Sequence, residues 1–502
     1  MHSTLEQARG ISLRDVLPGG NFIRSADPLI TSCTSDWHTV LPGDLYAALV
    51  DRHGDGHEHA AKAVQRGAAA VLAERLLPVN APQCIVPNAQ EAYGRVCQAL
   101  AGNPSRRMRV IGVTGTSGKT TVAILVASVL KAAGATPGSL SSLGYCDAVK
   151  IASAKAATPP AADLARWLAS MEANGCTHAV VELSSEGLAE YRCAGVELDA
   201  AVVTNIRRDH LDLHGSVANY RAIKSRILQH LRPDGFSVLN ADDPGCKQLI
   251  ANIEHPVITV GNDYSAELSA TVVELQKSEQ TFLLHAGEDS IPVRTAMIGQ
   301  HHVANCLSAA AVGLVYGIDL PTIVRGIEDA GHIPGRMERV ECGQSFGTFL
   351  DIANSPESLA QSLKTLRSVT HGRVVCVFDA HGGKNNPQRQ TLGRTVERMA
   401  DLGIITNNDA GDPQPLQAIH DVLDGYRDPE RAHVSPNRQE AIRWALGGAR
   451  PGDTVLIAGT GDAGSTSVLD DDRETAREFL YSLEPAQTNW YPPFSHLKLH
   501  QG

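Results

Sequence analysis

No two cysteines of this 502-residue chain stand in a Cys-x-x-Cys pair. The ten lie at positions 33, 84, 97, 146, 176, 193, 246, 306, 342 and 376. That spacing argues against a zinc ribbon and a dithiol redox motif, and predicts reduced, buried thiols. Positive charge is also short: Lys and Arg number 44 against 55 Asp and Glu, a net charge of −11. A sequence-blind nucleic-acid binder needs the opposite balance. Anionic small molecules stay compatible with it, because a local pocket can be positive inside an acidic shell. Long apolar runs are missing. The longest, Val122 to Leu130 broken only by Ser128, is far too short to span a bilayer. Met1 to Glu6 shows no basic stretch followed by an apolar core, so the sequence predicts no secretory leader and a cytoplasmic location. Internal repeats and low-complexity tracts are lacking too.

What remains is an ordinary globular composition, 43% hydrophobic and 20% charged. At ~150 residues per domain the length predicts about three domains. Gly102-Asn103-Pro104-Ser105 and Gly331-His332-Ile333-Pro334-Gly335 break regular structure and mark boundaries. The divisions are 1–105, 106–335 and 336–485, with an irregular tail over 486–502. Within the second and third parts, strand-like runs alternate with helical ones. Arg109 to Val113, Ala179 to Leu183, Ala200 to Thr204, Val374 to Phe378, Leu402 to Thr406 and Thr454 to Ala458 read as strands. Thr120 to Ala133 reads as a helix. The rhythm predicts an α/β fold with parallel sheets.

One segment carries sharp chemistry. Gly112-Val113-Thr114-Gly115-Thr116-Ser117-Gly118-Lys119-Thr120-Thr121 follows a strand and opens a helix. Small residues let backbone N–H groups close around phosphate oxygens, and the helix N-terminus adds positive potential. In that pattern Lys119 reaches the β- and γ-phosphates and Thr120 holds Mg²⁺. Val113 stands where the strict motif has its first glycine. Glu182, at the end of a later strand, and Asp209 with His210, after the next, are placed to hold metal beside the phosphates. Pattern alone makes Lys224 a helix-surface lysine. It makes the stretch His53 to His59 a solvated loop, and Asp470-Asp471-Asp472 an acidic helix start.

Taken together these residues resemble the Mur ligases, ATP-dependent amide ligases of peptidoglycan and cell-wall synthesis, most closely their tripeptide-synthetase branch. The resemblance rests on Leu41 to Tyr46, Asp55-Gly56-His57, Gly67 to Glu74, Thr114 to Thr121, Glu182 to Ser185, Thr204-Asn205 with Arg208 to Asp212, His214-Gly215, Asn219-Tyr220 with Lys224, Leu239 to Asp243, and Pro334 to Glu338. It implies three domains: a small α/β domain for a uridine nucleotide, a central P-loop ATPase-type parallel sheet and a C-terminal Rossmann-like domain. It further implies phosphoryl transfer from ATP to a carboxylate, then attack by an amine on the acyl phosphate. The implied acyl substrate is UDP-MurNAc-L-Ala-D-Glu, with an amino acid added as the third stem residue by a monomeric protein. Residue by residue, Gly115, Thr116, Ser117, Gly118, Lys119, Thr120 and Thr121 match the ATP loop. Asn305, Arg336 and Asp351 match further nucleotide contacts. Glu182 and His210, with Thr120, match magnesium ligands. Lys224 matches a lysine that the family carries as a carbamate, and Thr158, Pro159, Ser184 and Arg192 match muramyl-peptide contacts.

The departures are concentrated. Where the family has D-N-P-R the chain reads Asn407-Asn408-Asp409-Ala410-Gly411-Asp412-Pro413, without the arginine that pairs the distal carboxylate of diaminopimelate. Loss of such a partner costs about 2–5 kcal/mol. G-K-G-H-E becomes Gly459-Thr460-Gly461-Asp462-Ala463, and G-G-D-R-D becomes Gly382-Gly383-Lys384-Asn385-Asn386. Y-A-H-T-P becomes Ile352-Ala353-Asn354-Ser355-Pro356, Glu186 replaces a His, His302 an Asn, and Asp36-Trp37-His38 stands for D-S-R. Two alternatives therefore stand beside the tripeptide-synthetase reading: a ligase for another acyl and amine pair, and a non-catalytic nucleotide-binding paralogue.

Overall fold

A computed structural model of the chain describes residues 10–24, 27–51, 54–207, 211–263, 265–380, 386–407, 415–459 and 466–483. Three main sheets follow one another along the sequence.

The first sheet has five strands in the order Asn21–Ile23, Gln83–Ile85, Ala70–Ala73, Leu45–Ala47, Cys33–Thr34. All neighbours run parallel except the first pair. The strand Leu45–Ala47 is short, because the chain leaves the sheet after Ala47 to pair Val50–Asp51 with Gly54–Asp55. His57 is not in a solvated loop. It is buried, with Nδ1 2.5 Å from Asp55 Oδ1 and Nε2 accepting from the Glu74 amide at 3.0 Å.

The second sheet has eleven strands. At its centre Arg109–Thr114 runs parallel between His178–Glu182 and Leu198–Val203. Five of its six residues are buried, as a strand covered on both faces requires. The parallel region extends from Pro137–Ser141 to Leu268–Leu275. Outside this parallel centre, which is the expected one, the sheet is antiparallel. Gly144–Cys146 and Ile151–Ala152 flank one side, Gln280–Ala286 and Asp289–Thr295 the other. Short reversals such as Gly287-Glu288 can only fold a chain back antiparallel. Two apolar cores cover the faces, one around the helix Lys119–Ala132 and one around Ala161–Ala173.

The third sheet has six strands, ordered Glu338–Arg339, Gly347–Asp351, Thr454–Ala458, Val374–Asp379, Leu402–Thr406, Ala432–Val434. Only its first pair is antiparallel. All ten cysteines are free, and each is buried or half-buried. Among the described residues no helix is long and apolar enough to cross a membrane.

Candidate active site

Ligands of open α/β sheets bind beyond the carboxyl ends of the strands, where successive crossovers diverge. In the second sheet that point lies past Thr114, between Glu182 and Val203. The Thr114 hydroxyl donates to the Leu183 carbonyl at 2.7 Å, and the loop Gly115 to Gly118 then swings over the strand ends. Its backbone admits only glycine at two places. At Gly115, with φ +153°, a Cβ would overlap the Thr204 hydroxyl. At Gly118, with φ +84°, a Cβ would lie 2.5 Å from Asn305 Oδ1.

Residues after the neighbouring strand hold the loop open. Asn205 Oδ1 accepts from the Ser117 amide at 3.0 Å, Asn205 O accepts from the Thr116 amide at 2.9 Å, and the Thr204 hydroxyl donates to Ser117 O at 2.6 Å. Lys119 Nζ lies across the cradle and donates to the carbonyls of Gly115 and Thr116, each at 3.1 Å. The ammonium thus lies within the loop, held by its carbonyls.

Below the loop two oxygen donors meet. The buried Thr120 hydroxyl donates to Glu182 Oε2 at 2.9 Å, and the Ser142 amide donates to the same oxygen at 3.0 Å. From the segment leading into the third sheet, an Arg336 N–H donates to the Thr120 hydroxyl at 3.0 Å. Hydroxyl and carboxylate are the hard donors that Mg²⁺ prefers. His210 and Asp209, the other expected ligands, lie outside the described residues. Among the described residues no group of three or more His, Cys, Asp or Glu side chains forms a metal cluster.

Lys224 corrects the sequence reading: it is 1% exposed, not a surface lysine. Its Nζ stands 3.4 Å from the Thr114 hydroxyl and 5.1 Å from the Tyr220 ring centre. The helix Val217–Ser225 packs Tyr220, Ile223 and Lys224 inward together, and the aromatic ring sheathes the lysine stem.

A cavity of about 510 Å³ opens on Lys119, Thr120, Glu182 and Arg336, and Lys224 does not line it. Its wall brings together Thr116, Ser117, Gly118, Lys119, Thr120, Thr121, Glu182, Ser184, Arg192, Asn305, Arg336 and Asp351. Thr158 and Pro159 are buried behind that wall. The Thr158 hydroxyl accepts from the Ser184 amide at 2.8 Å, so it positions Ser184. The wall also holds residues the sequence reading did not single out: Ser142, Lys155, Arg207, His301, Glu357 and Gln361. Ser142 and Arg207 each follow a strand end, a usable signal. Glu357 and Gln361 sit four apart on the helix Pro356–Val369, and only tertiary packing turns that face to the cleft. There the Gln361 amide, its oxygen toward the guanidinium, accepts from Arg207.

Burial sets the electrostatics at the far end. Asp351 accepts from the amides of Met337 at 2.9 Å and Ala353 at 2.8 Å. Its carboxyl is nevertheless held above its ordinary range by burial, against the opposing pull of Arg336. Burial lowers the Arg336 guanidinium, while the charges of Asp351 and Glu182 raise it. Burial pushes His301 down to about 4, with the Arg207 charge adding to it. His302 is 3% exposed and lowered well below its usual range by burial first, then by His301 and Arg336. Both imidazoles are neutral at pH 7.

The altered C-terminal motifs, 382–386, 407–413 and 459–463, lie almost wholly outside the described residues. The strand ends beneath them are described. Arg438 is buried and paired with Asp472, Nε to Oδ1 at 2.8 Å, and it donates to Ala458 O at 2.9 Å and Thr406 Oγ1 at 3.3 Å. Asp470-Asp471-Asp472 is therefore not an acidic helix start. It lies inside the helix Thr466–Ser482, and Asp472 serves a buried ion pair.

Comparison with known proteins agrees with this geometry. Residues 113–313 match the Mur ligase middle domain, and residues 335–461 match the Mur ligase glutamate ligase domain. The UDP-N-acetylmuramoyl-L-alanyl-D-glutamate–2,6-diaminopimelate ligase of Geobacillus thermodenitrificans is 33% identical over 473 residues, covering 92% of this chain and 97% of that one. The ligase of the same name from Solibacter usitatus is 34% identical, over 91% and 95%. A solved structure of a ligase so named superposes with a TM-score of 0.67 at 24% identity, over 93% of this chain and 99% of that one. The MurF ligase of Thermotoga maritima, solved with ADP, gives 0.63 at 18% identity, over 90% and 98%. With a third of its residues identical to such relatives across nearly its whole length, the chain belongs to the Mur ligase family.

Proposed function

We propose that the chain is an ATP-dependent carboxylate–amine ligase that adds an amino acid to UDP-MurNAc-L-Ala-D-Glu during peptidoglycan precursor synthesis in the cytoplasm. One observation carries the reading. Lys119, Thr120 and Glu182 converge beneath the phosphate loop, and Arg336 reaches the same hydroxyl from the third-sheet side at 3.0 Å. The names of the relatives supply the substrate, and the ADP in the Thermotoga structure supports nucleotide use. On this reading residues 1–105 hold the uridine nucleotide, 106–335 hold ATP and 336–485 present the amine.

A carboxylate is a poor acyl donor, so it must first receive a phosphoryl group as leaving group. Bringing triphosphate and carboxylate together requires positive charge at the contact. Lys119 and Arg336 supply two cations from opposite walls. The loop amides and the start of the helix Lys119–Ala132 orient the phosphates. Thr120 and Glu182 fit Mg²⁺, which when bound neutralises charge between the transferred phosphoryl group and its acceptor. Asn305 and Asp351 border the nucleotide end of the cavity, and Ser184 borders the acyl end.

Amine-dependent ADP release with UDP-MurNAc-L-Ala-D-Glu tests the reading, across diaminopimelate, lysine, ornithine and other amines. ADP is expected with at least one amine, and Lys119→Ala abolishes it. Measurable ATP binding with no ADP from any amine would overturn the assignment and favour a non-catalytic paralogue.

A further inference from the structure

Thiols far apart in the sequence can still meet in the fold. Cys33 and Cys97 stand 64 residues apart, and their sulfurs lie 3.6 Å from each other. Cys33 opens the two-residue strand Cys33–Thr34, the edge of the first sheet, which is paired on one side with Leu45–Ala47. It is half-buried there, whereas Cys97 is buried on the helix Ala89–Leu100. Beyond the edge strand, Thr34 Oγ1 accepts from the Asp36 amide at 3.1 Å and the chain leaves through the turn Trp37–Thr39. The helix is anchored on its other side. A Cβ at Gly94 would lie 2.9 Å from the Ala194 Cβ, and the apolar core around Cys97 takes in Ala161 and Ala165 of the helix Ala161–Ala173. The two sulfurs thus join a lightly held strand edge to a helix packed against the second unit.

A disulfide bond is about 2.05 Å long, so the sulfurs have about 1.5 Å to close. An edge strand of two residues, paired on one side, is the part of the sheet best able to give that distance. We propose that Cys33 and Cys97 form a reversible thiol–disulfide pair, closed by a small disulfide such as glutathione disulfide, which fastens the edge of the first sheet to the helix Ala89–Leu100. The Cys33 sulfur attacks first. Its bond to one glutathione sulfur forms, the glutathione disulfide bond breaks, and the leaving thiolate takes the Cys33 proton. The Cys97 sulfur then attacks the Cys33 sulfur and displaces the second glutathione, which takes the Cys97 proton. Two protein thiols are oxidised and one glutathione disulfide is reduced to two thiols. The surroundings set this order. The hydrogen bond with Cys33, then burial, holds the Cys97 thiol well above its ordinary range, so Cys97 keeps its proton while Cys33 is reduced. Once Cys33 carries glutathione that hold is relieved, and the Tyr93 hydrogen bond and the Arg166 charge still favour the Cys97 thiolate. In a reducing compartment such a bond is transient, as a switch requires. The proposal stands apart from the ligase reading.

The test incubates the full chain with glutathione disulfide, quenches it by alkylation and maps its peptides by mass spectrometry. Amide hydrogen exchange is measured before and after oxidation. A cross-linked peptide joining Cys33 to Cys97 is expected, and dithiothreitol reverses it. Cys97→Ala is expected to stop at a glutathione adduct on Cys33, and Cys33→Ser to leave Cys97 unmodified. Exchange over residues 33–39 is expected to slow roughly threefold or more in the oxidised chain, because the edge can no longer open by itself. A glutathione adduct on Cys33 of the unaltered chain without the cross-link overturns the proposal, as does a chain in which both thiols stay reduced. A cross-link that leaves exchange unchanged overturns the fastening of the edge.

Discussion

The Arg336 guanidinium donates to the Thr120 hydroxyl at 3.0 Å, across 216 residues of sequence. It ties the approach to the third sheet to the first turn of the phosphate-loop helix. Thr120 also bonds Glu182, so one hydroxyl reports on both sides of the cleft. A hydrogen bond from a charged donor contributes about 1.5–3 kcal/mol. Arg336→Ala should therefore lower kcat/KM for ATP roughly 10- to 100-fold. Arg336→Lys should fall between, because it keeps the charge and loses the planar fork. Steady-state ADP release on folded variants checks this, and an unchanged kcat/KM would separate the contact from turnover.

Glu182→Gln keeps the shape of the side chain and removes its charge. The Thr120 and Ser142 contacts can persist, so the fold should hold. The magnesium concentration for half-maximal activity is expected to rise by roughly tenfold or more. A magnesium titration of turnover reads this directly. An unshifted midpoint would place the cation elsewhere.

Gly118→Ala puts a Cβ 2.5 Å from Asn305 Oδ1 on a left-handed backbone. The backbone alone costs about 1–2 kcal/mol. Melting should therefore drop by a few degrees, and nucleotide affinity should fall further, because Asn305 is displaced from the cavity wall. Calorimetric titration of ADP against thermal melting separates the two effects. Melting that is unchanged would contradict the close approach.

Lys224 is buried beside Thr114, and a carbamate there would reverse its charge. The family resemblance makes it the carbamate position. Depleting CO₂ should lower turnover, and Lys224→Ala should regain part of it with small carboxylates. A carbamate carbon signal after labelling with ¹³C-bicarbonate is expected. Activity indifferent to CO₂ and to added carboxylates would rule the modification out.

Burial holds His178 and His301 at about 4 and His302 well below its ordinary range. The folded state therefore binds fewer protons than the unfolded one. The stability contributed by neutral imidazoles is complete above pH 6.5 and is lost as pH falls toward 4, by up to about 1.4 kcal/mol per pH unit for each group. Over most of that window ordinary carboxylates stay ionised. Melting temperature should fall steadily from pH 7 to pH 5, and less steeply in His302→Asn. A flat profile would show that these imidazoles are not held neutral by the fold.

The strand, loop and helix around Gly115 to Thr121 were legible because a motif of the phosphate-loop type obeys local rules. A strand, a glycine-rich turn and a helix must be contiguous, so Gly115 to Thr121 could be read from spacing. Glu182 was legible as an acid at a strand end. The buried state of Lys224 was not, because a lysine on an amphipathic helix has no spacing that distinguishes inside from outside. His57 misled for a related reason: a His-rich loop looks solvated until Asp55 and the Glu74 amide close on it. The antiparallel flanks of the central sheet carry no signal of their own, because the parallel strands dominate the apolar pattern.

By itself the sequence determined the contiguous strand, glycine-rich loop and helix over 109–132, and the family, because both are carried by residues in fixed local order along the chain. Only the tertiary structure decided that Arg336 meets Thr120, that His302 is a buried neutral group, and that Cys33 lies beside Cys97. Those are contacts whose energy depends on burial and on the directions in which side chains point, and sequence spacing fixes neither.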